Sequence, residues 1–422
     1  MKNVVLLLLA IALLPTCRNN MNAPVVSPVA NGPVTTGDVS PYKPKFIIDK
    51  SGLYNGQKMG VQAGDTVGIL TGDYANLILE RFVGIPGRPI VFLNYKGRVA
   101  IRGTTQNSGN LSINGCSHFV LSGSGVAAIR YGFNVSSAYR DVSALVVSGK
   151  STNCEISQVE VSQSGFAGMM IKTDPLAKDP STWLGSFVMS AVTIHDNYVH
   201  DTLGEGLYIG NSFWNSGQNG LYPHEIYGLD VHHNVIERSG AEGIQYSCAP
   251  GARVHHNRVV NTGINPFASH QNAGVQISGG SSGEFYANTI DSARGVGLII
   301  VGAIRKGDSL LIQNVLITHS NIFAGDDKLR AETCAVFIDN RSSPPGIGIG
   351  GKLTFQNVTV DGARLDGIRL YNETQSNVIR KSIIRGYKRS AFDRSPQTVS
   401  LTEQDNFTGL GLVQQGIGYQ GQ

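Results

Sequence analysis

Two glutamates occupy the same position in two similar stretches of the sequence, and their spacing suits acid–base chemistry. The stretch "VTIHDNYVHDTLGEGLYI" begins at Val192, and "LDVHHNVIERSGAEGIQY" begins at Leu229. The two align without a gap, which places Glu205 opposite Glu242. If they form adjacent layers of strands, the carboxylates lie about 5 Å apart, and one pKa rises because both cannot easily ionise. Retaining glycoside hydrolases use a carboxylate separation of about 5–5.5 Å.

Further ionisable residues lie near this pair in the alignment. Asp201 precedes Glu205 in the same stretch, and His224 ends the following loop, "LYPHEIYG". Lys172 belongs to the preceding repeat. We predict that the two glutamates act as the acid and as the base or nucleophile, with Asp201, His224 and Lys172 in support.

Other chemistries fit the same pair. Ca²⁺ takes several carboxylate oxygens, so Glu205 and Glu242 could be calcium ligands. A uronate lyase needs a base and also cations that neutralise the substrate carboxylate, and Lys172 and Arg238 could supply those cations. The simplest alternative is a pair of surface carboxylates whose charge a nearby positively charged side chain such as Arg238 neutralises.

A set of aromatic and amide side chains is placed to contact a sugar. Tyr208, Gln245 and Gln276 share one outward position of the third strand of the repeat. The chain has two Trp, and Trp183 and Trp214 follow adjacent repeats in long connections. Large rigid aromatic faces suit sugar rings, so we predict that all five residues line a glycan cleft. Alternatively, each Trp anchors its own loop.

Histidines recur at two neighbouring positions of the repeat. His195, His232 and His255 share one position, and His233 and His256 share the next. An exposed column of imidazoles could bind a transition metal. A polar ladder on a solvated sheet is the commoner outcome.

These residues depend on an internal repeat of short strands. The stretches "CEISQVEVSQSGFAGMMI" from Cys154 and "LTFQNVTVDGARLDGIRL" from Leu353 align with the two above over eighteen positions. Apolar residues alternate with polar ones, which indicates strands. One such unit cannot bury its apolar face, but stacked units can.

The repeat resembles the right-handed parallel β-helix of the pectate lyase-like superfamily, over residues 52 to about 409. The segment 61–101, with "GDTV" and "GRPI", is similar to the start of many secreted β-helix proteins. The resemblance implies an all-β, single-stranded right-handed parallel β-helix, a solenoid of about eleven coils. It also implies an inward ladder of amides formed by the recurring asparagines, Asn197, Asn234, Asn257 and Asn288.

Composition and the N-terminus limit the function classes. Glycine is abundant, at 52 of 422 residues, charged residues are 15%, and the net charge is +4. Such a chain is too apolar for disorder, and the absence of a basic run argues against nucleic acid as a partner. The apolar run 4–14 is too short to span a bilayer and suits a signal peptide.

"LLPTC" resembles a bacterial lipobox, so we predict lipidation of Cys17 and an anchor in the outer or cytoplasmic membrane; a plain secretory signal is the alternative. The predicted domains are a signal peptide (1–17), a flexible tether (18–41) and the β-helix (42–422). We predict that the four other cysteines are mostly buried thiols, with a disulfide as the alternative.

Together these features predict an exported, carbohydrate-active enzyme that cleaves a polysaccharide, in the bacterial cell envelope or outside the cell. One alternative is a polysaccharide lyase or epimerase that uses Ca²⁺. The other is a non-catalytic glycan-binding or surface scaffold protein, which the absence of a complete known catalytic set favours.

Overall fold

The computed structural model describes residues 43–103, 110–137, 139–268, 271–302, 304–321, 333–339, 344–371, 375–395, 400–409, 411 and 413–421. These residues lie in one compact unit, Gly37–Gln422. The predicted signal peptide, the lipidation site Cys17 and the tether 18–41 lie outside the described residues and stay predictions. In the described ranges, no helix has the length and apolar character needed to cross a membrane.

Short parallel strands stack in three columns, which we call faces 1, 2 and 3 in the order in which each repeat visits them. Each strand pairs in parallel with strands of the same face in the coils before and after it. Within the described residues, faces 1 and 2 form one sheet of 23 strands, and face 3 forms a second sheet of 12. Thr66–Tyr74 and Ile90–Gly103 span faces 1 and 2, which joins these two faces into one sheet.

Face 1 contains the strands Phe46–Ile48, Thr66–Tyr74, Ile90–Gly103, Ser117–Ser122, Thr152–Ser157, Val188–His195, Glu225–His232, Ala252–His255, Gly283–Tyr286, Ser309–Gln313, Lys352–Gln356, Ser376–Arg380 and Leu401–Gln404. Face 2 continues with Phe133–Ser137, Val159–Ser162, Tyr198–His200, Val235–Glu237, Arg258–Val260, Thr289–Asp291, Leu316–Thr318, Thr359–Asp361, Ile383–Arg385 and Phe407–Thr408. Face 3 contains Gly52–Asn55, Leu77–Glu80, Leu111–Asn114, Leu145–Ser148, Met169–Ile171, Leu207–Ile209, Ile244–Tyr246, Val275–Ser278, Leu298–Val301, Cys334–Asp339, Asp366–Tyr371 and Ser390–Ser395.

This architecture is the predicted all-β, right-handed parallel β-helix, and twelve described strands on face 3 agree with about eleven coils. One α-helical turn, Gly56–Met59, follows the first strand of face 3, and its N-cap Asn55 accepts a hydrogen bond from the backbone of Lys58. A 3₁₀ turn, Pro180–Thr182, lies in the long connection before Val188. Among the described residues, the other connections are loops and tight turns.

The alternating pattern of the sequence places every second side chain inside the coil. Val192 and Ile194 are fully buried, whereas Thr193 between them is partly exposed. Inward side chains from all three faces form one continuous apolar core along the helix. Because each coil covers the apolar interior of its neighbour, the fold is stabilised by stacking. The thiols of Cys116, Cys154, Cys248 and Cys334 are buried, as predicted.

The predicted asparagine ladder is present at the turn between faces 1 and 2. The side-chain amide of Asn197 donates to Oδ1 of Asn234 at 2.9 Å, and Asn234 donates in the same way to Asn257 at 3.0 Å. Asn257 continues the ladder to Asn288 at 3.0 Å. All four side chains are fully buried. The ladder therefore satisfies polar groups that the turn would otherwise bury without partners.

Candidate functional site

The register of face 3 positions the two glutamates one above the other. Leu207 pairs with Ile244 in the next coil, and each glutamate lies two residues before the paired position. Gly206 lies between Glu205 and Leu207, and its N–H donates to the carbonyl oxygen of Glu242 at 2.9 Å. A Cβ at Gly206 would lie 2.5 Å from the carbonyl oxygen of Gly243, so the backbones approach too closely for a side chain. The close approach of adjacent coils therefore requires glycine after each of these glutamates, since Gly243 is equally crowded.

Both carboxyl groups are buried, which the sequence did not indicate. Glu205 is 2% exposed and Glu242 is 0% exposed. By register, Ala167 and Ala273 occupy the same position in the coils on either side, so the pair has apolar neighbours along its column. Oε2 of Glu205 and both carboxyl oxygens of Glu242 have no hydrogen-bond partner among the described residues. The alternative of a solvent-exposed pair is therefore wrong.

Burial is the main cause of a raised pKa at both glutamates. It raises the pKa of Glu205 to about 7, against a weaker opposing effect of the Lys172 charge. It raises the pKa of Glu242 well above its usual value, with a further contribution from the negative charge of Glu205. The pair therefore retains at least one proton at neutral pH, as general acid catalysis requires.

The raised pKa values predict that stability falls as pH rises. A group whose pKa is higher in the folded protein than in the unfolded one contributes most to stability at pH values below its unfolded pKa. This contribution is lost as the pH rises through its folded pKa. The shift of Glu205 from 4.5 to about 7 corresponds to a loss on the order of 3 kcal/mol in this window.

Urea unfolding between about pH 5 and about pH 8 measures this loss. The double variant Glu205→Gln/Glu242→Gln is expected to show a much smaller dependence on pH. Equal pH dependence in the two proteins would show that the pair titrates normally.

Lys172 lies beside the pair, as predicted. Its Nζ donates to Oδ1 of Asp174 at 2.8 Å and to Oδ1 of Asn211 at 3.1 Å, and it lies 4.7 Å from the centroid of the Tyr208 ring. Burial alone would lower the pKa of Lys172, but Tyr208, Asp174 and Glu205 together raise it. Lys172 is therefore a cation at neutral pH, and its side chain is 10% exposed. Asn211 was missed by the sequence analysis, although its position directly after a face 3 strand and Gly210 is a usable signal.

The predicted glycan-contacting column of face 3 is largely covered rather than open. Tyr208 is 8% exposed and Gln245 is 2% exposed, and only Gln276 is partly accessible. Further along the same column, Ile299 and Phe337 belong to a small apolar cluster separate from the main core. The sequence correctly places the three predicted residues in one column, but the prediction that all three line an open cleft is wrong.

Aromatic rings lead from this column to the surface. The Phe166 ring lies 6.3 Å from the ring of Tyr208 and 6.0 Å from that of Phe267, measured between centroids. Phe267 is 43% exposed, and Ile264 in the same loop is 45% exposed. Exposed aromatic surface suitable for a ligand is therefore found on this loop, which the sequence analysis did not single out.

The two tryptophans differ in their exposure to solvent. Trp214 is fully buried, and a Cβ at Gly280 would lie 2.6 Å from its ring, so it anchors its loop against the β-helix. A sugar platform at Trp214 is therefore excluded. Trp183 is partly exposed, and its Nε1 donates to the carbonyl of Leu176 at 2.8 Å. Only Trp183 keeps an accessible indole for the predicted role.

Asp201 does not join the glutamate pair. Its two carboxylate oxygens accept from Nε and Nη2 of Arg238 at 2.7 and 3.0 Å. Its Oδ2 also lies 2.6 Å from Nδ1 of His200. Hydrogen bonds from Arg238 and His200 lower its pKa against the effect of burial. Asp201 is thus an ionised member of a surface network, and the prediction of a third catalytic carboxylate is wrong.

His224 also has a structural role. Its Nε2 accepts from the backbone N–H of Thr173 at 3.0 Å, and its Nδ1 donates to the carbonyl oxygen of Glu225 at 3.0 Å. The ring is fully buried, and burial lowers its pKa to about 4. Both nitrogens are occupied, so His224 positions the segment after Lys172 instead of transferring protons.

The histidine columns are stacked as the repeat predicts. The rings of His195 and His232 lie 4.8 Å apart, those of His232 and His255 lie 5.0 Å apart, and Tyr286 follows at 4.6 Å. Burial lowers the pKa of His255 to about 4. Hydrogen bonds that His195 donates to the carboxylates of Glu155 and Asp196 raise the pKa of His195 against the effect of burial. Across the described ranges, no three or more His, Cys, Asp or Glu side chains converge on a point that could hold a metal.

The predicted calcium site consists only of the carboxyl groups of Glu205 and Glu242 among the described residues. Glu205 and Glu242 provide oxygen ligands of the right chemistry, but Ca²⁺ takes six to eight oxygens. The positive charge of Lys172 acts on Glu205 and lowers its pKa against the effect of burial. A cation next to the pair opposes the binding of a second one.

Comparison with known proteins bears on the fold. Residues 109–290 match the sequence family described as the right-handed beta helix region. A search of the curated proteins finds no match. The full-length tailspike protein 2 from the Escherichia coli O157:H7 bacteriophage CAB120 is 12% identical with a TM-score of 0.50, over 75% of this chain and 39% of the tailspike. The chain thus spans about two fifths of that protein.

Two further solved structures are similar over most of their length. An alginate lyase from Paenibacillus sp. str. FPU-7 is 12% identical with a TM-score of 0.42, over 86% of this chain and 99% of the lyase. The A-module of the Azotobacter vinelandii mannuronan C-5 epimerase is 10% identical with a TM-score of 0.46, over 85% of this chain and 92% of the module. At such low identity the likeness concerns the fold. The three stacked parallel faces show that the described residues form a right-handed parallel β-helix, and the family match covers residues 109–290 of it.

Proposed function

We propose that this protein is a carbohydrate-active enzyme that cleaves a polysaccharide, with Glu205 and Glu242 as its acid–base pair. A β-helix hosts many activities, so the fold cannot carry this proposal. The observation that carries it is a buried, stacked carboxyl pair with raised pKa values, next to the partly buried Lys172. Strongly perturbed ionisable groups of this kind concentrate at functional sites.

The environments of the two glutamates assign their roles. Glu242 is completely buried and has the more strongly raised pKa, so it holds the proton and donates it to the leaving glycosidic oxygen. The charge of Lys172 lowers the pKa of Glu205 against the effect of burial, which favours the ionised form of Glu205. Glu205 therefore serves as the base or nucleophile. Lys172 can also pair with a carboxylate of an acidic glycan, in competition with Asp174.

A substrate reaches the two glutamates only if the residues that shield them from solvent move. Glu242 and Gln245 are almost inaccessible, so a glycan must displace covering residues before it contacts either one. The loop that carries Ile264 and Phe267 presents exposed apolar side chains next to Phe166 and Tyr208. Stacking of a sugar ring on Phe267 would supply binding energy for the displacement.

Incubation of the purified protein with neutral and acidic polysaccharides, followed by mass spectrometry, tests the proposal. Products heavier by one water are expected and would identify a hydrolase. Unsaturated products would identify a lyase that uses the same residues. If no glycan is cleaved, the proposed activity is refuted.

The second candidate is a non-catalytic glycan-binding or scaffold protein. The complete burial of Glu242 favours it, because a buried neutral carboxyl group can be purely structural. In that case the protein would bind a glycan in the same panel without product, and Glu205→Gln would bind it equally well.

A further inference from the structure

Four histidines form two close pairs on the outer side of the turn after face 1. Nδ1 of His232 lies 2.9 Å from Nδ1 of His233, and Nδ1 of His255 lies 2.8 Å from Nδ1 of His256. The pairs stack on each other, with His232 over His255 and His233 over His256, each at 5.0 Å between centroids. We call these four residues the histidine quartet. It is remote in the repeat from the glutamates, which precede face 3.

The tight turn brings each pair together. His233 and His256 both adopt a left-handed conformation with φ of 54°, directly before the ladder residues Asn234 and Asn257. This conformation turns adjacent side chains toward each other, whereas they diverge in a regular strand. In the preceding coil, an aspartate replaces the second histidine. Nδ1 of His195 lies 2.7 Å from Oδ2 of Asp196 there. The arrangement is therefore a property of the turn, repeated over three coils.

Asp230 fixes one ring in the form that a metal requires. Its Oδ1 lies 3.1 Å from Nε2 of His255, and its Oδ2 accepts from Arg253 at 2.5 Å. An ionised carboxylate only accepts hydrogen bonds, so Nε2 of His255 carries the proton. In the neutral ring, Nδ1 then presents a lone pair toward His256. A carboxylate behind a histidine is the usual support of a metal-ligating imidazole.

We propose that the histidine quartet binds one divalent transition-metal ion of the Cu²⁺, Ni²⁺ or Zn²⁺ class. Imidazole nitrogens suit these ions, and Cu²⁺ is bound most strongly. One pair offers two nitrogen ligands, and water completes the coordination. A second ion on the stacked pair would meet strong repulsion one coil away, which limits the site to one ion.

Three of the four histidines are accessible from solvent. His233 is exposed, His232 and His256 are partly exposed, and His255 is buried. An open cavity of about 390 Å³ lies beside the quartet, lined in part by His256, Glu284 and Tyr286. An ion can therefore reach the Nδ1 atoms without rearrangement of the backbone. To bind it, His256 moves its proton from Nδ1 to Nε2 or releases it.

Titration of the metal-free, untagged protein with CuCl₂, followed by calorimetry and electron paramagnetic resonance, tests this proposal. We expect one Cu²⁺ per chain and hyperfine coupling to imidazole nitrogens. The variant His233→Asn/His256→Asn is expected to lose the site, since it removes one nitrogen of each pair. Asparagine suits the left-handed turn, and Asn314 and Asn357 have the same conformation at this position in later coils.

Two further variants separate metal binding from folding. Asp230→Asn keeps all four histidines and is expected to weaken Cu²⁺ binding roughly 10- to 100-fold. His319→Ala removes an exposed histidine in another turn and is expected to leave binding unchanged. The proposal is overturned if the wild-type protein binds no Cu²⁺, or if the quartet variant and Asp230→Asn both bind it as tightly as the wild type.

Discussion

Glu205→Gln is expected to lower the rate of glycan cleavage by roughly 10²- to 10⁴-fold. Glutamine keeps the size of the buried side chain and the backbone hydrogen bond from Gly168. It cannot ionise, however, so it cannot act as a base or nucleophile next to Glu242. The initial rate on the best substrate of the glycan panel measures the effect, and binding of the same glycan should change little.

Glu160→Gln is the matched control for this prediction. Glu160 lies on face 2, where it contacts His200 and Arg98 and not the proposed pair. The same chemical change there should leave the rate unaltered. Activity in Glu205→Gln equal to that of the control would exclude Glu205 from the reaction and would direct attention to Lys172 and Tyr208.

Asn234→Ala is expected to reduce the free energy of unfolding by at least about 3 kcal/mol. Oδ1 of Asn234 accepts from the backbone N–H and the side chain of Asn197 at 3.1 and 2.9 Å. Its Nδ2 donates to the carbonyl of Ile194 at 2.8 Å and to Asn257 at 3.0 Å. Alanine would remove all four of these buried hydrogen bonds, each worth roughly 1 kcal/mol. The side chains of Asn197 and Asn257 would keep their bonds to the carbonyl of Ile156 and to the backbone N–H of residue 234.

The midpoint of urea unfolding, followed by circular dichroism, measures this effect. Asn265→Ala is the control, since Asn265 is exposed, and a surface substitution usually changes stability by less than about 0.5 kcal/mol. Equal midpoints for the two variants would mean that water or neighbouring groups replace the ladder. That outcome would remove the ladder as a reason for the recurring asparagine.

The sequence by itself determined the repeat and everything that the repeat fixes. Gapless alignment of the stretches from Val192 and Leu229 gives the strand register, and register alone places Glu205 beside Glu242 and His195 beside His232. The asparagine ladder follows for the same reason, because stacked coils repeat each position at a constant spacing. Local pattern is sufficient where each residue contacts only its equivalent in the next coil.

The tertiary structure alone decided what covers each position. The long connections differ between coils, so their packing cannot be inferred from the repeat. Trp214 is buried by one such connection, and both glutamates are buried instead of exposed. Asp201 and Arg238 pair across coils through side-chain rotamers that no spacing specifies. Burial sets the pKa of Glu205, and burial depends on contacts between segments distant in the chain. The sequence therefore located the candidate groups, and only the folded loops determined their charge and their access to solvent.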